Sequence, residues 1–294
     1  VKYTISTLKN KNLIQFISQS NLIPKYGFPV DTVSLETPIE DKLSLNRDLQ
    51  MALKEYAPGA ELVANKKTYK SKYIKRVEGM ELLSYSFKIC DCNQINKKNE
   101  KLGVPNKCIG CGKDIKDKEE LTYVIPQFGF VPDYKFTKKA GSKKPENVYF
   151  TEKFFGGEME SKENSINVNI GNREYEIISA KNAKMTVIGK GKGQGFFICD
   201  KCGYGEPVVD FKKSKRLKHK NSKGFDCDNT LVKKYLGYDY ETDVTLIHTQ
   251  GLQILDKEEQ LSVLYAFLNG MSEALEIERR DIDGTFFSEN NKSY

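Results

Sequence analysis

No apolar run of roughly eighteen or more residues occurs in this 294-residue chain, so no segment suits a membrane-crossing helix. The first residues, Val1-Lys2-Tyr3-Thr4, carry neither an initiator Met nor a secretory pattern, and read as the start of a fragment. Without an export signal, and with an odd count of seven Cys, a secreted disulfide framework is not expected. The expected compartment is the cytoplasm, where closely spaced thiols point to metal. Internal repeats and long low-complexity tracts are absent. The stretch Gly189-Lys190-Gly191-Lys192-Gly193-Gln194-Gly195 lacks both the P-loop form and the dinucleotide-binding glycine form. It reads as a hairpin turn rather than a phosphate cradle.

Hydrophobic residues make up 38% of the chain and charged residues 30%, which is apolar enough to build a core and excludes wholesale disorder. Lys and Arg number 47 against 40 Asp and Glu, a net charge of +7. That modest excess is compatible with nucleic-acid contact.

The hydrophobic spacing predicts a helix over Lys11–Gln19, broken by Pro24 and Pro29, and a strand over Val30–Leu35. A short helix over Asn46–Tyr56 is stopped by Pro58-Gly59. The runs Glu61–Ala64 and Thr68–Arg76 flank a turn at Asn65-Lys66-Lys67. Further strands are expected at Ser165–Ile170, Tyr175–Ile178, Met185–Ile188 and Asp243–Thr249, the last with Val244, Leu246 and His248 on one side. Asp256 and Glu259 form a capping box that opens a long helix, with Leu261, Leu264, Tyr265, Leu268, Met271 and Leu275 as its apolar face. The expected fold is α+β: mostly antiparallel β, two zinc-stabilised, zinc-ribbon-like lobes and a long C-terminal helix. Four segments follow. They are an N-terminal α/β lead-in with a hairpin (1–81), a zinc-ribbon lobe (82–123), a β-rich region with a second zinc site (124–250) and a C-terminal helical segment (251–294).

Two groups carry metal-ligand spacing. The first is Cys90-x-Cys92 with Cys108-x-x-Cys111. Zinc takes four soft ligands in a tetrahedron at about 2.3 Å from each sulfur, and two short-spaced pairs on two turns supply them. Gly110 and Gly112 suit a tight turn whose amides point at a thiolate. The second group is Cys199-x-x-Cys202 with His219 and Cys227, three Cys and one His. The seven residues between His219 and Cys227 are a looser gap than usual. The alternatives are free, partly buried thiols in the first group, and in the second a surface His with Cys227 as a small hydrophobe. Both sets use all four positions, which argues for structural rather than catalytic zinc.

Two basic stretches are candidate nucleic-acid contacts. Lys212, Lys213, Lys215, Arg216, Lys218, Lys220 and Lys223 form a block with no acidic residue from Phe211 to Gly224. Such a block can neutralise several phosphates. Lys66, Lys67, Lys70, Lys72, Lys75 and Arg76 carry Tyr69 and Tyr73 between them, and interleaved aromatics can stack on single-stranded bases. The bland alternative for each is a solvated face. Signs of hydrolytic chemistry are thin. His248 reads as a satisfied core His, and Glu278, Asp281 and Asp283 as a helix-end ion-pair network rather than magnesium ligands.

Several phrases in order are more specific than any one motif. They are Ile23-Pro24-Lys25-Tyr26-Gly27-Phe28-Pro29-Val30-Asp31, Glu55-Tyr56-Ala57-Pro58-Gly59-Ala60-Glu61, Gly195-Phe196-Phe197-Ile198-Cys199 with Cys202-Gly203, and Leu236-Gly237-Tyr238 with Thr242-Asp243-Val244. The last runs from Leu264-Tyr265-Ala266-Phe267-Leu268 through Ile282-Asp283-Gly284. Together they resemble the C-terminal domain-of-unknown-function region of bacterial superfamily-two DEAD/DEAH-type helicases. That family contains the mitomycin repair helicase and helicases of anti-phage defence systems. The resemblance covers nearly the whole chain. It implies a zinc-bearing accessory module, two structural zinc ions, DNA as a partner in repair or defence, and docking to the helicase ATPase lobes or a partner subunit. It also implies that His219 and Cys227 complete the second metal set. The chain departs from the family in having no Walker A loop, DEAD/DEAH box or arginine finger, so no ATP hydrolysis by that mechanism is expected of it. The family's further C-terminal Cys cluster is also missing after Tyr294, and Phe286–Tyr294 is expected to fray.

Overall fold

The structure, a computed structural model, describes residues 31–41, 43–141, 149–159, 161–209, 218–250, 256–289 and 292–294. The helix expected over Lys11–Gln19, the Pro24–Pro29 segment and the basic residues Lys212, Lys213, Lys215 and Arg216 lie outside the described residues. What is described is mostly antiparallel β with two α-helices, Leu49–Glu55 and Lys257–Ala274. The chain forms two compact units, each built from non-consecutive segments. One draws on 1–83, 124–151 and 189–236; the other on 84–123, 152–188 and 237–294. The stretch 82–123, expected as a lobe of its own, thus enters the second unit almost whole, beside strands from much later in the chain.

In the first unit a sheet runs in the order Leu45–Asp48, Thr32–Leu35, Phe130–Pro132, Lys67–Ile74, Glu61–Ala64. All neighbours are antiparallel except Thr32–Leu35 with Phe130–Pro132. The hairpin between Glu61–Ala64 and Lys67–Ile74 closes on two residues, Asn65 and Lys66, both at positive φ (46° and 60°). That is the turn geometry whose twist matches paired strands, and Asn tolerates it. The short helix starts later than its sequence pattern suggests. Residues 45–48 pair as a strand, and Asp48 then caps the helix by accepting from Met51 N at 2.9 Å. Leu49, Ala52 and Leu53 face the core, and Tyr56 meets Phe130 edge to face at 6.4 Å.

In the second unit the strand order is Phe150–Phe155, Arg173–Gly191, Val232–Thr249, Leu121–Val124, Ser84–Ile89, Ile95–Asn99. Ser161–Ile170 also pairs with Arg173–Gly191, which is one continuous strand where two shorter ones were expected. The alternation over 243–249 holds: Leu246 is buried, Val244 packs beside it, and His248 Nδ1 contacts Ser293 O at 2.7 Å as a satisfied His. Fraying was expected over Phe286–Tyr294, but the described residues at its two ends are held. Phe287 and Tyr294 exchange backbone hydrogen bonds at 3.1 and 2.9 Å, stack at 5.2 Å, and join Phe155, Ile178, Met185 and Leu246 in the core. Two aromatics buried there outweigh the polar residues between them.

The capping box is present: Asp256 Oδ1 accepts from Glu258 N and Glu259 N at 2.9 Å, and Glu259 Oε2 accepts from Asp256 N at 3.0 Å. The buried stripe of that helix is narrower and rotated from the one expected. Leu268 is buried, and Leu264, Phe267 and Met271 are half-buried, but Leu261, Tyr265 and Leu275 face solvent. Among the described residues, no helix is long and apolar enough to cross a membrane.

Candidate metal centres

Each unit carries one of the two ligand sets. In each, the four ligand atoms lie within 4.8 Å of one another: Cys90, Cys92, Cys108 and Cys111 in one, Cys199, Cys202, His219 and Cys227 in the other. A tetrahedron with about 2.3 Å from centre to sulfur has edges of about 3.8 Å. The sulfurs of Cys90 and Cys111 are 3.6 Å apart, those of Cys92 and Cys108 3.7 Å, and those of Cys199 and Cys227 3.8 Å. A disulfide would need about 2.05 Å. These are thiols gathered around a common point, and both sets suit a metal ion.

The local sequence explains the placement. Cys90 and Cys92 sit at the turn of the hairpin Ser84–Ile89/Ile95–Asn99, where Asn93 takes φ 62° and donates its N–H to Cys90 O. The two Cys-x-x-Cys-Gly loops share one backbone pattern. Cys108 N donates to Lys113 O and Gly112 N to Cys108 O; Cys199 N donates to Tyr204 O and Gly203 N to Cys199 O. Both closing glycines need positive φ (71° and 76°). At Gly203 space is a second constraint, because a Cβ would stand 2.0 Å from Ile74 O. His219 and Cys227 face each other across the short pair His219–Lys220/Asp226–Cys227. The loose spacing between them is the length of that hairpin. Tyr204 packs against the His219 ring, with centroids 4.9 Å apart and planes tilted by 34°.

Electrostatics distinguish one thiol in each set. Burial raises the pKa of Cys90 and Cys92, and pushes Cys202 up to about 12. Burial acts the same way on Cys108 and Cys199 but is outweighed. Cys108 is lowered by the amides of Cys111 and Gly110 and by Asn96; Cys199 is brought to about 7 by the Cys202 amide, Asn229, Cys202 and His219. In each set one thiol is thus easier to deprotonate than its neighbours, and the remaining protons must leave if a metal enters.

Asn96 and Asn229 carry no sequence signal for this role, yet each donates its side-chain amide to a ligand sulfur at 3.6 Å, Asn96 to Cys108 and Asn229 to Cys199. Asn96 also accepts from Ile109 N at 2.8 Å, which fixes the loop. Such outer partners typically contribute 10–100-fold in metal affinity. Asn229→Ala is expected to weaken metal binding at the second set by about that factor, measured by competition with a chromophoric chelator, while the first set keeps its affinity.

The basic candidates fare differently. Tyr69 and Tyr73 point into the core with Ser71, because alternate strand residues share a face, so neither can stack on a base. Lysines of this stretch meet carboxylates: Lys70 with Glu61 at 3.4 Å, Lys72 with Asp133 at 2.7 Å, Lys75 with Glu36 at 3.2 Å. Arg76 is half-buried. Lys218 and Lys220 are exposed on the hairpin that carries His219 and Cys227. Glu278, Asp281 and Asp283 do not converge as a metal site. Glu278 pairs with Arg280 and Asp283 with Lys153, and among the described residues the clusters suited to a metal are the two Cys sets.

No family model and no solved structure matches the chain. The chain is similar to Druantia protein DruE of Escherichia coli (strain UMEA 4076-1), 22% identical over 91% of its length. It spans 16% of the length of that protein.

Proposed function

We propose that this chain is a non-catalytic accessory module of an ATP-dependent DNA helicase of anti-phage defence or DNA repair, in which two structural zinc ions hold loops at fixed geometry for nucleic-acid contact. The observation that carries the reading is the completeness of the metal sets. Each has four protein ligands, so no position is left for water or substrate. Thiolate-rich tetrahedral sets favour zinc among the common divalent ions. The likeness to DruE and the resemblance to helicase C-terminal regions support the setting. Affinity for DNA would come mainly from phosphates and be largely independent of sequence. The contact candidates are Lys218 and Lys220 with the preceding Lys212, Lys213, Lys215 and Arg216; the ion pairs of Lys70 and Lys72 make them weaker ones.

The test is binding of single-stranded and duplex oligonucleotides by the zinc-loaded chain across a salt series. Micromolar affinity falling steeply with salt is expected. Neutralising Lys218 and Lys220 to Gln should flatten the log–log slope by about 1.4 on single strands. A second reading, a scaffold docking the ATPase lobes or a partner subunit, is favoured by Leu261, Tyr265, Leu275 and Ile277, which are exposed on the C-terminal helical segment. Absence of DNA binding even at low salt would select it.

A further inference from the structure

We propose that the hairpin that carries His219 and Cys227 presents Phe225 as a stacking platform for an unpaired DNA base. The proposal rests on the nucleic-acid reading above and adds the form of DNA it prefers.

Phe225 is 68% exposed, although the loop that carries it is tightly held. Its two ends are the paired ligands His219 and Cys227. Inside the loop, Asn221 Oδ1 accepts from Lys223 N and Phe225 N, both at 3.0 Å. Asn221 N donates to Phe225 O at 2.8 Å, and Gly224, at φ 89°, donates to Asn221 O at 2.9 Å. The Tyr73 hydroxyl donates to Asn221 O at 3.4 Å and ties the loop to the Lys67–Ile74 strand. The backbone is thus fixed while a large aromatic ring stands in water, leaving its hydrophobic free energy unused within the fold.

The neighbours select the occupant. Lys218, Lys220 and Lys223 are exposed on the same hairpin, with Asp226 and Asp228 also exposed; Lys220 and Asp226 approach at 3.8 Å, a solvated pair of little strength. Next to Phe225 in sequence stand Gly224 and Asp226, which add no apolar side chain to the ring. A ring beside cations matches a nucleotide, whose base offers a flat face and whose phosphate offers a negative charge. A duplex hides its base faces except at ends, so the platform suits single-stranded or junction DNA.

The chain contains no Trp, so Phe225→Trp supplies a sole indole reporter. In the full, zinc-loaded chain, a single-stranded DNA oligonucleotide should quench its emission with saturation. Phe225→Ala should weaken single-strand binding on the order of tenfold with unchanged zinc content, and affect duplex binding less. Phe225→Tyr keeps the stacking face and should stay near the parent affinity. Salt-dependent binding that is indifferent to Phe225→Ala, with no quenching of the indole, overturns the platform and leaves the nucleic-acid reading standing. No DNA binding by the parent chain at low salt overturns both.

Discussion

Chelating the metal should unfold the Cys108–Ile115 loop well before it disturbs the second set. The reason lies in what surrounds each site. Around Cys90 and Cys108 the only other buried residue of the cluster is Ile115, with Cys92 and Cys111 packed beside it. The remaining loop is polar and Lys-rich, so the metal takes the place of a core. Cys199 instead packs with Phe197, Val208 and Leu231, which stay together without a metal. A structural zinc site contributes on the order of 10–16 kcal/mol of apparent binding energy, and in the first loop little else opposes the entropy of disorder. Hydrogen exchange after chelator treatment should show amides of 106–118 exchanging freely while those of 196–208 keep partial protection. Cys108→Ser and Cys202→Ser should each remove one equivalent of zinc by atomic absorption. Zinc content unchanged in both would refute the ligand assignments.

A second large effect is expected at Gly237, a position with no chemistry of its own. A Cβ there would stand 2.0 Å from Tyr123 Cδ2 and 2.6 Å from Cε2. The Tyr123 ring cannot yield. It is fully buried, stacked on Tyr85 at 5.3 Å and set edge-on to Phe87 at 5.6 Å. Its hydroxyl donates to Asp239 Oδ2 at 2.9 Å. Asp239 also accepts from Thr186 at 2.8 Å and pairs with Lys97 at 2.5 Å, so a displaced ring breaks into a polar network. Burial first, then the Asp239 charge, raise the Tyr123 pKa far above its ordinary value, which keeps the phenol a donor at any ordinary pH. Overpacking costs about 1–3 kcal/mol and a stranded buried hydroxyl about as much again, so Gly237→Ala should cost about 3 kcal/mol or more. The melting temperature should fall by about 5 °C or more. Tyr123→Phe, which keeps the ring, should lose only the hydrogen-bond share. A Gly237→Ala protein that melts within a degree of the parent would contradict this packing.

The two side-chain sets that could hold a metal ion were legible in the sequence because ligand chemistry restricts residue type and spacing together. The hairpin at Asn65-Lys66 and the capping box at Asp256 were legible for a similar reason: local backbone demands fix their residues. Asn96 and Asn229 were not, since Asn is common in turns and only the folded geometry brings these two to a sulfur. The Tyr69/Tyr73 stretch was misread as an aromatic nucleic-acid face. A period of two places Tyr69, Ser71 and Tyr73 on one side and Lys70 and Lys72 on the other, and the apolar side went inward. Phe287 and Tyr294 were expected to fray because the residues between them are polar; their partners Phe155 and Leu246 are far away in sequence, where no local pattern reports on them.

The interleaving of the two units sets the order in which they can be completed during synthesis. The first cannot close until residue 236 has emerged, and the second not until the strands beyond 237 and the buried Tyr294 are available. Both ligand sets, by contrast, are local: one is complete by residue 111, the other by residue 227. Closing short loops carries a small entropic penalty and long-range strand pairing a large one. Each set can therefore gather before its sheet is complete, and a metal ion caught there would shorten the time for which unpaired strand edges are presented.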